Sequence, residues 1–344
     1  MQLYLDNGYL NFPALRDLPQ PFVIAIGGRG TGKTYGALES SIDDGIIFTF
    51  MRRTQTQLDI INRPEFSPVK PVCRARGWQI TTAPVARGLT AYYHYTVEDE
   101  RQVLHGPPLG YNMALSTVAN IRGFDASEID LLIYDEAIPE RGERPLPREF
   151  ERLTNCYETL NRNRELQGRS PLKLVCLANA NAQTAPILEG LGLVDVLDRM
   201  QRKGQAVYQD ARRGLALVLL RDSPISAGKA DTALYRLTAG SDYANMALNN
   251  TFAYEDRGTI RSMPLAEYRP IATAGAVTIY AHKRRRELYV SKHRSGSCPT
   301  YGTGDTDRYR FNKAWGWRVS EAIDTDTIIY ETYEAQTLLT SYMS

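Results

Sequence analysis

What this chain lacks narrows its class before any motif is read. It has four cysteines, Cys73, Cys156, Cys176 and Cys298, and no C-x-x-C pair among them. That excludes a disulfide framework and a cysteine-held zinc site, and it implies a reducing interior. The four histidines, His94, His105, His282 and His293, show no ligand spacing and receive no catalytic role. Nowhere do 18 apolar residues run together, and Met1–Asn7 carries no basic stretch leading into an apolar one. A soluble, cytosolic protein with no membrane association is therefore expected. The net charge of +2 rules out a globally basic chain, so any nucleic-acid surface must come from local clustering. Asn312-Lys313-Ala314-Trp315 lacks the acid of a guanine-reading Asn-Lys-x-Asp motif, which disfavours a GTPase. Internal repeats and low-complexity tracts are absent.

What is present starts with size. At 344 residues and 43% apolar content, two folded domains are the default. Phe22–Ile26 reads as a buried strand that runs into Gly27-Gly28-Arg29-Gly30-Thr31-Gly32-Lys33-Thr34, the G-x-x-x-x-G-K-[ST] pattern of a phosphate-binding loop opening a helix. Its glycines let the backbone turn tightly and aim N–H groups inward at a phosphate. Lys33 is placed to reach the β/γ-phosphates of ATP, and the Thr34 hydroxyl to ligate Mg2+.

Further along, apolar strands are expected at about 46–51, 129–134, 172–178 and 214–220, interleaved with helical stretches that include Arg148–Glu165. Together with 22–26 they describe an α/β sheet buried on both faces. Residues 78–104 are β-rich and read as an inserted hairpin whose aromatic run packs. The texture changes after Arg221. The expected organisation is an ATPase domain at 1–222, a helical linker at 223–260 and a β-rich domain at 261–344. In the last of these, strands at 271–281 and 287–291 flank the basic turn Lys283-Arg284-Arg285-Arg286, and a helix closes the chain from Tyr330 to Met343.

The acids follow the same logic. Leu131-Leu132-Ile133-Tyr134-Asp135-Glu136 is a buried strand that delivers Asp135 beside the phosphate loop to hold Mg2+. Glu136 can then polarise the attacking water, which separates a hydrolase from a mere nucleotide binder. Asn179, ending the next strand, is either a contact to the γ-phosphate or water, or a turn-forming cap. Arg29 either neutralises phosphate charge in cis or projects into solvent. Arg162 and Arg164, in Asn161-Arg162-Asn163-Arg164, are either arginine fingers for a neighbouring subunit's site or favourable charges at a helix C-terminus. Between Lys283 and Arg318 there are ten Lys/Arg against three acids, with aromatics interspersed. That marks Lys283, Arg284, Arg285, Arg286, Lys292 and Arg294 as a candidate nucleic-acid surface, the alternative being a solvated hairpin face.

Taken together and in order, these residues resemble the DNA-packaging ATPases of phi29-like tailed bacteriophages, relatives of the large terminases in the ASCE branch of P-loop motors. The resemblance rests on Phe22–Thr34, on Phe50-Met51-Arg52-Arg53, on Leu132–Glu136, and on Asn161–Glu165 followed by Cys176-Leu177-Ala178-Asn179-Ala180. It covers residues 20–190 well and the C-terminal third through the 270–291 hairpin. It implies that Arg162 is the favoured trans finger with Arg164 second, and that subunits form a ring, expected as a pentamer, on the portal of the phage prohead. It further implies double-stranded DNA as the cargo, a host-cytoplasmic setting with transient docking on the prohead, and an RNase H-like C-terminal domain. A structural packaging RNA can sit between ATPase and portal in such motors, which adds RNA as a partner to test. Large terminases cut DNA with metal ions held by clustered carboxylates. The two expected hairpin strands here offer only Glu287, so nuclease activity is not expected. Alternatives that stay open are another ASCE translocase or helicase, and a nucleic-acid-binding scaffold with a relic nucleotide site.

Overall fold

The computed structural model describes residues 1–121, 123–140, 143, 145–182, 185–249 and 259–343. The chain divides into two compact units, Met1–Ile187 with Met200–Tyr254, and Leu188–Arg199 with Glu255–Ser344. This differs from the expected partition, because much of the stretch read as a linker folds into the first unit; its residues 250–258 lie outside the described residues. Among the described residues no helix is long and apolar enough to cross a membrane.

The first unit is built on a nine-stranded sheet of β1 (Phe22–Gly27), β2 (Phe48–Arg52), β3 (Ile80–Ala86), β4 (Leu89–Glu98), β5 (Arg101–Ala114), β6 (Leu131–Asp135), β7 (Lys173–Asn179), β8 (Val207–Asp210) and β9 (Leu215–Leu220). The strand order is β3-β4-β5-β2-β6-β7-β1-β9-β8. The central run β5-β2-β6-β7-β1-β9 is parallel, and β3, β4 and β8 add antiparallel edges. Central strands such as β6 and β9 are buried at every position, so they show no polar alternation, as helices on both faces of a parallel sheet require. Val23, Ala25, Phe48, Phe50, Ile133 and Val175 belong to one apolar cluster in this core.

The expected hairpin at 78–104 is instead a three-stranded meander. Its last strand, β5, runs on to Ala114 and joins the main sheet by pairing in parallel with β2. Gly106-Pro107-Pro108 lies within β5. In the structure it falls at the register shift between β4 and β5, where no ladder N–H is demanded of a proline. The helix expected over 148–165 spans Glu149–Asn161 and stops where Arg162 takes φ +48°, a left-handed conformation that an ordinary helix cannot continue through.

The second unit carries a five-stranded sheet of β10 (Tyr268–Ala274), β11 (Val277–His282), β12 (Leu288–Ser291), β13 (Thr300–Tyr301) and β14 (Ile328–Tyr330), in the order β13-β10-β11-β12-β14. The segment 271–281, read as one strand, is two strands folded at Gly275, whose φ of +56° makes the turn without any polar break in the sequence. The closing helix is Tyr333–Met343.

Candidate nucleotide-binding site

Because β1, β2, β6 and β7 are parallel, their carboxyl ends open on the same edge of the sheet, where ligands of α/β folds bind. β7 lies between β1 and β6, in register Gly27 with Asn179 and Leu177 with Asp135. The phosphate loop, Asn179 and the acids therefore stand side by side although they are up to about 150 residues apart in sequence. They line a cleft of about 330 Å3 that includes Gly30, Lys33, Thr34, Asp135, Glu136 and Asn179.

Gly32 caps the helix Lys33–Asp43 at φ +82°, and a side chain there would press on the Tyr9 ring, so only glycine fits. The first turn of that helix holds no acid, which leaves its positive end free for an anion. The Lys33 ammonium donates to the carbonyls of Gly27 and Gly28 at 3.2 and 2.6 Å and to Asn179 Oδ1 at 2.9 Å. Burial lowers its pKa to about 8; Asp135 opposes that fall while Lys229 and Arg29 add to it. Thr31 does not face the cleft chemistry: its hydroxyl donates to Gly28 O and its carbonyl accepts from Leu10 N, which braces the loop. Arg29 pairs with Glu140 at 2.5 Å while lining the cleft.

Asp135 is buried, and that burial raises its pKa, with Arg52 and the Thr34 hydroxyl pulling the other way. The Thr34 hydroxyl donates to Asp135 Oδ2 at 2.8 Å. A hydroxyl already beside a desolvated carboxylate is the donor set that a hard cation such as Mg2+ takes, so these residues fit the ion. Glu136 sits at φ +56°, a costly conformation for a side chain of its size, which turns its half-exposed carboxylate out at the strand end. Arg52, at the end of β2, bridges both acids, at 3.1 Å to Asp135 and 2.5 Å to Glu136. Burial works against its charge, but Asp135 and Glu136 hold its pKa above the ordinary value. In the sequence Arg52 stands only as part of the run Phe50-Met51-Arg52-Arg53; the position of β2 directly beside β6 is what gives it this task. Its neighbour Arg53 faces inward, forked on Glu149 at 2.9 and 2.8 Å, and Tyr134 donates to the same carboxylate. That buried network ties β2 and β6 to the start of the helix Glu149–Asn161.

The two finger candidates separate cleanly. Arg162 is exposed, donates to Phe124 O at 2.5 Å, and does not line its own subunit's cleft. Arg164 is buried: its guanidinium caps the carbonyls of Ala126, Ser127 and Ile129 and pairs with Asp130 at 3.1 Å. It holds the turn that feeds β6, a job that a charge spacing near a helix end could not reveal, and it is withdrawn from any neighbouring site.

The basic stretch of the second unit is largely paired. Arg285 lies near Glu267 and Glu287, Arg286 pairs with Glu321, Lys292 with Glu334, and Lys283 donates to Ala266 O. Arg294 contacts Thr300, and Arg284 uses its backbone N–H on His282. Two residues near the phosphate loop carried no sequence signal: Tyr9, whose ring covers Gly32, and Lys229, which donates to Arg29 O.

No curated protein matches the sequence. Among solved structures the chain is similar to the Phi-28 gp11 DNA packaging motor, with TM-score 0.62 and 17% identity over 98% of this chain and 97% of that one. It is likewise similar to the chain of the bacteriophage Phi-29 viral genome packaging motor assembly, with TM-score 0.66 and 17% identity over 98% and 99%. At such identity the likeness is one of fold, and it spans both units. The model of the podovirus DNA encapsidation protein (Gp16) family matches residues 88–263, more than half of the 344 residues, and the chain belongs to that family.

Proposed function

We propose that this chain is the ATPase of a viral genome-packaging motor, hydrolysing ATP to drive double-stranded DNA into a prohead. The observation that carries the hydrolytic part is the convergence of Lys33, Thr34, Asp135, Glu136 and Asn179 on one cleft at the carboxyl ends of parallel strands. Loop N–H groups and Lys33 bind the β/γ-phosphates. Thr34 and Asp135 hold Mg2+, which when bound neutralises charge on the phosphates. Glu136 orients a water and accepts its proton as the water oxygen bonds to the γ-phosphorus and the bond to the bridging oxygen breaks, so that ADP and inorganic phosphate leave. Arg52 pairs with the same carboxylate at 2.5 Å, which holds Glu136 at the mouth of the cleft while its half-exposed side chain can still meet a water. Asn179 joins the Lys33 ammonium to the end of β7, which gives the sheet a direct link to the phosphate. Arg162, exposed and outside its own cleft, completes a neighbour's site in a ring, for which we propose a pentamer docked on the portal in the host cytoplasm. A packaging RNA is a further proposed partner of that docked ring.

We propose that the second unit grips nucleic acid without cutting it, through Arg284 and Arg294 of the basic stretch. Glu287 accepts the Tyr268 hydroxyl and lies near Arg285, and Glu331 accepts Ser291 Oγ at 2.6 Å, so these acids serve the sheet. Among the described residues no three His, Cys, Asp or Glu side chains stand close enough to share a metal ion. The test is ATP-dependent DNA uptake into purified empty proheads, with and without RNase treatment. Turnover of ATP without uptake would reassign the chain to a generic translocase, and strand separation to a helicase.

A further inference from the structure

Lys229 ends the short helix Pro224–Lys229, some 200 residues beyond the phosphate loop, yet its ammonium donates to Arg29 O at 2.6 Å. It lies so close that a side chain on Gly30, itself at φ +65°, would collide with it. The lysine is half-buried and burial lowers its pKa. Among the described residues no carboxylate forms an ion pair with it. Its charge is instead felt by another cation, since Lys229 depresses the pKa of Lys33.

An ammonium drawn out of water normally recovers that cost from an anion. Here Lys229 donates to a loop carbonyl and Lys33 to two loop carbonyls and the Asn179 amide oxygen, neutral acceptors that bind an ammonium more weakly than a phosphate oxygen does. Lys33 reaches the β/γ-phosphates in loops of this kind. Lys229 is a second lysine lodged on the same loop with no counter-charge among the described residues, and an anion held by that loop would supply one.

The segment that carries Lys229 is braced from the N-terminus. Tyr4 donates its hydroxyl to Arg221 O at 2.7 Å, Gly8 fits against Pro224 and Ile225, and Tyr9 covers Gly32. Beyond it, Tyr235 stacks on Tyr243 at 6.3 Å, joining the helices Ala233–Leu237 and Asp242–Asn249. A displacement of the lysine head is thus felt by a packed segment and not by a loose tail.

We propose that Lys229 is a second phosphate contact made in cis, exchanging Arg29 O for the terminal phosphate of a bound nucleoside triphosphate and so making residues 224–249 report triphosphate against diphosphate. This rests on the cleft being the nucleotide site. The test measures binding of a non-hydrolysable Mg-ATP analogue and of Mg-ADP to the full chain and to Lys229→Met, Lys229→Arg and Lys33→Ala. Loss of one charge-assisted hydrogen bond predicts about 10- to 100-fold weaker binding of the triphosphate to Lys229→Met, with ADP changed by less than about 3-fold and most of the loss restored in Lys229→Arg. Equal losses for both nucleotides, or none, would overturn the proposal. Unchanged affinity in Lys33→Ala would instead remove the cleft as the nucleotide site, and the proposal with it. The unaltered chain gives an independent readout: trypsin cleavage after Lys229 should slow more with the triphosphate analogue than with ADP, and equal protection by the two refutes the exchange.

Discussion

Replacing Arg164 by alanine should unfold the first unit early while leaving the chemistry of surviving molecules intact, and Arg162→Ala should do the opposite. The Arg164 guanidinium is buried and caps the carbonyls of Ala126, Ser127 and Ile129, with Asp130 as its ion-pair partner. A buried carbonyl left without a donor costs about 1–3 kcal/mol. Water can reach the Asp130 rim, whose side chain is 67% exposed, so the orphaned carbonyls of Ala126 and Ile129 dominate the loss. The expected destabilisation is about 3–5 kcal/mol, within what two buried carbonyls left without donors cost together. For a unit of this size that lowers Tm by roughly 6–20 °C. Arg164→Lys should fall between, since an ammonium cannot fork across several carbonyls. The assay pairs thermal unfolding by circular dichroism with ATP turnover measured well below the lowered Tm. If Arg164→Ala kept its Tm within about 2 °C and abolished turnover, Arg164 would be catalytic and the structural reasoning would be wrong.

The same cleft makes further predictions. Mixing Arg162→Ala with Lys33→Ala subunits should restore part of the turnover that each lacks alone; absence of recovery would place the finger in cis. Glu136→Gln should lower turnover by about 10²–10⁴-fold while nucleotide binding persists, and unchanged turnover would remove Glu136 as the base. Arg52→Ala strips the buried Asp135 of its ion-pair partner, so Mg2+ should raise the Tm of the variant more than that of the parent; equal shifts would mean that Arg52 does not neutralise Asp135 or that Asp135 does not hold the ion. In DNA binding, Arg284→Ala with Arg294→Ala should reduce the salt slope by up to about 2. Arg286→Ala, already paired with Glu321, should leave the slope unchanged, and the reverse pattern would move the contact surface.

The parts legible in the sequence are those whose physics is local. The apolar run Phe22–Ile26, the glycines after it and Lys33-Thr34 specify strand, loop and helix within 13 residues, because each demand on φ or burial is met by a neighbour. The same holds for Leu131–Glu136, where buried residues end on two acids. Ambiguity began where a signal had two meanings. The run 271–281 reads as one strand because no polar break interrupts it, yet Gly275 folds it into two. Arg162 and Arg164 are indistinguishable as text, two residues apart at the end of a helix.

The sequence by itself determined that a G-x-x-x-x-G-K-T loop follows one buried strand and that an Asp-Glu pair ends another, since those depend on short-range pattern. Only the tertiary structure decided who stands beside them. Placing β7 between β1 and β6 brings Asn179 to Lys33, and placing β2 next to β6 brings Arg52 onto Asp135 and Glu136. The left-handed turn at Arg162 leaves that side chain outside while Arg164 is buried. The fold of residues 224–249 onto the first unit sets Lys229 against the loop. Strand order and chain reversal act between residues far apart in sequence, so no window of sequence contains them, and they fix which charges share the cleft.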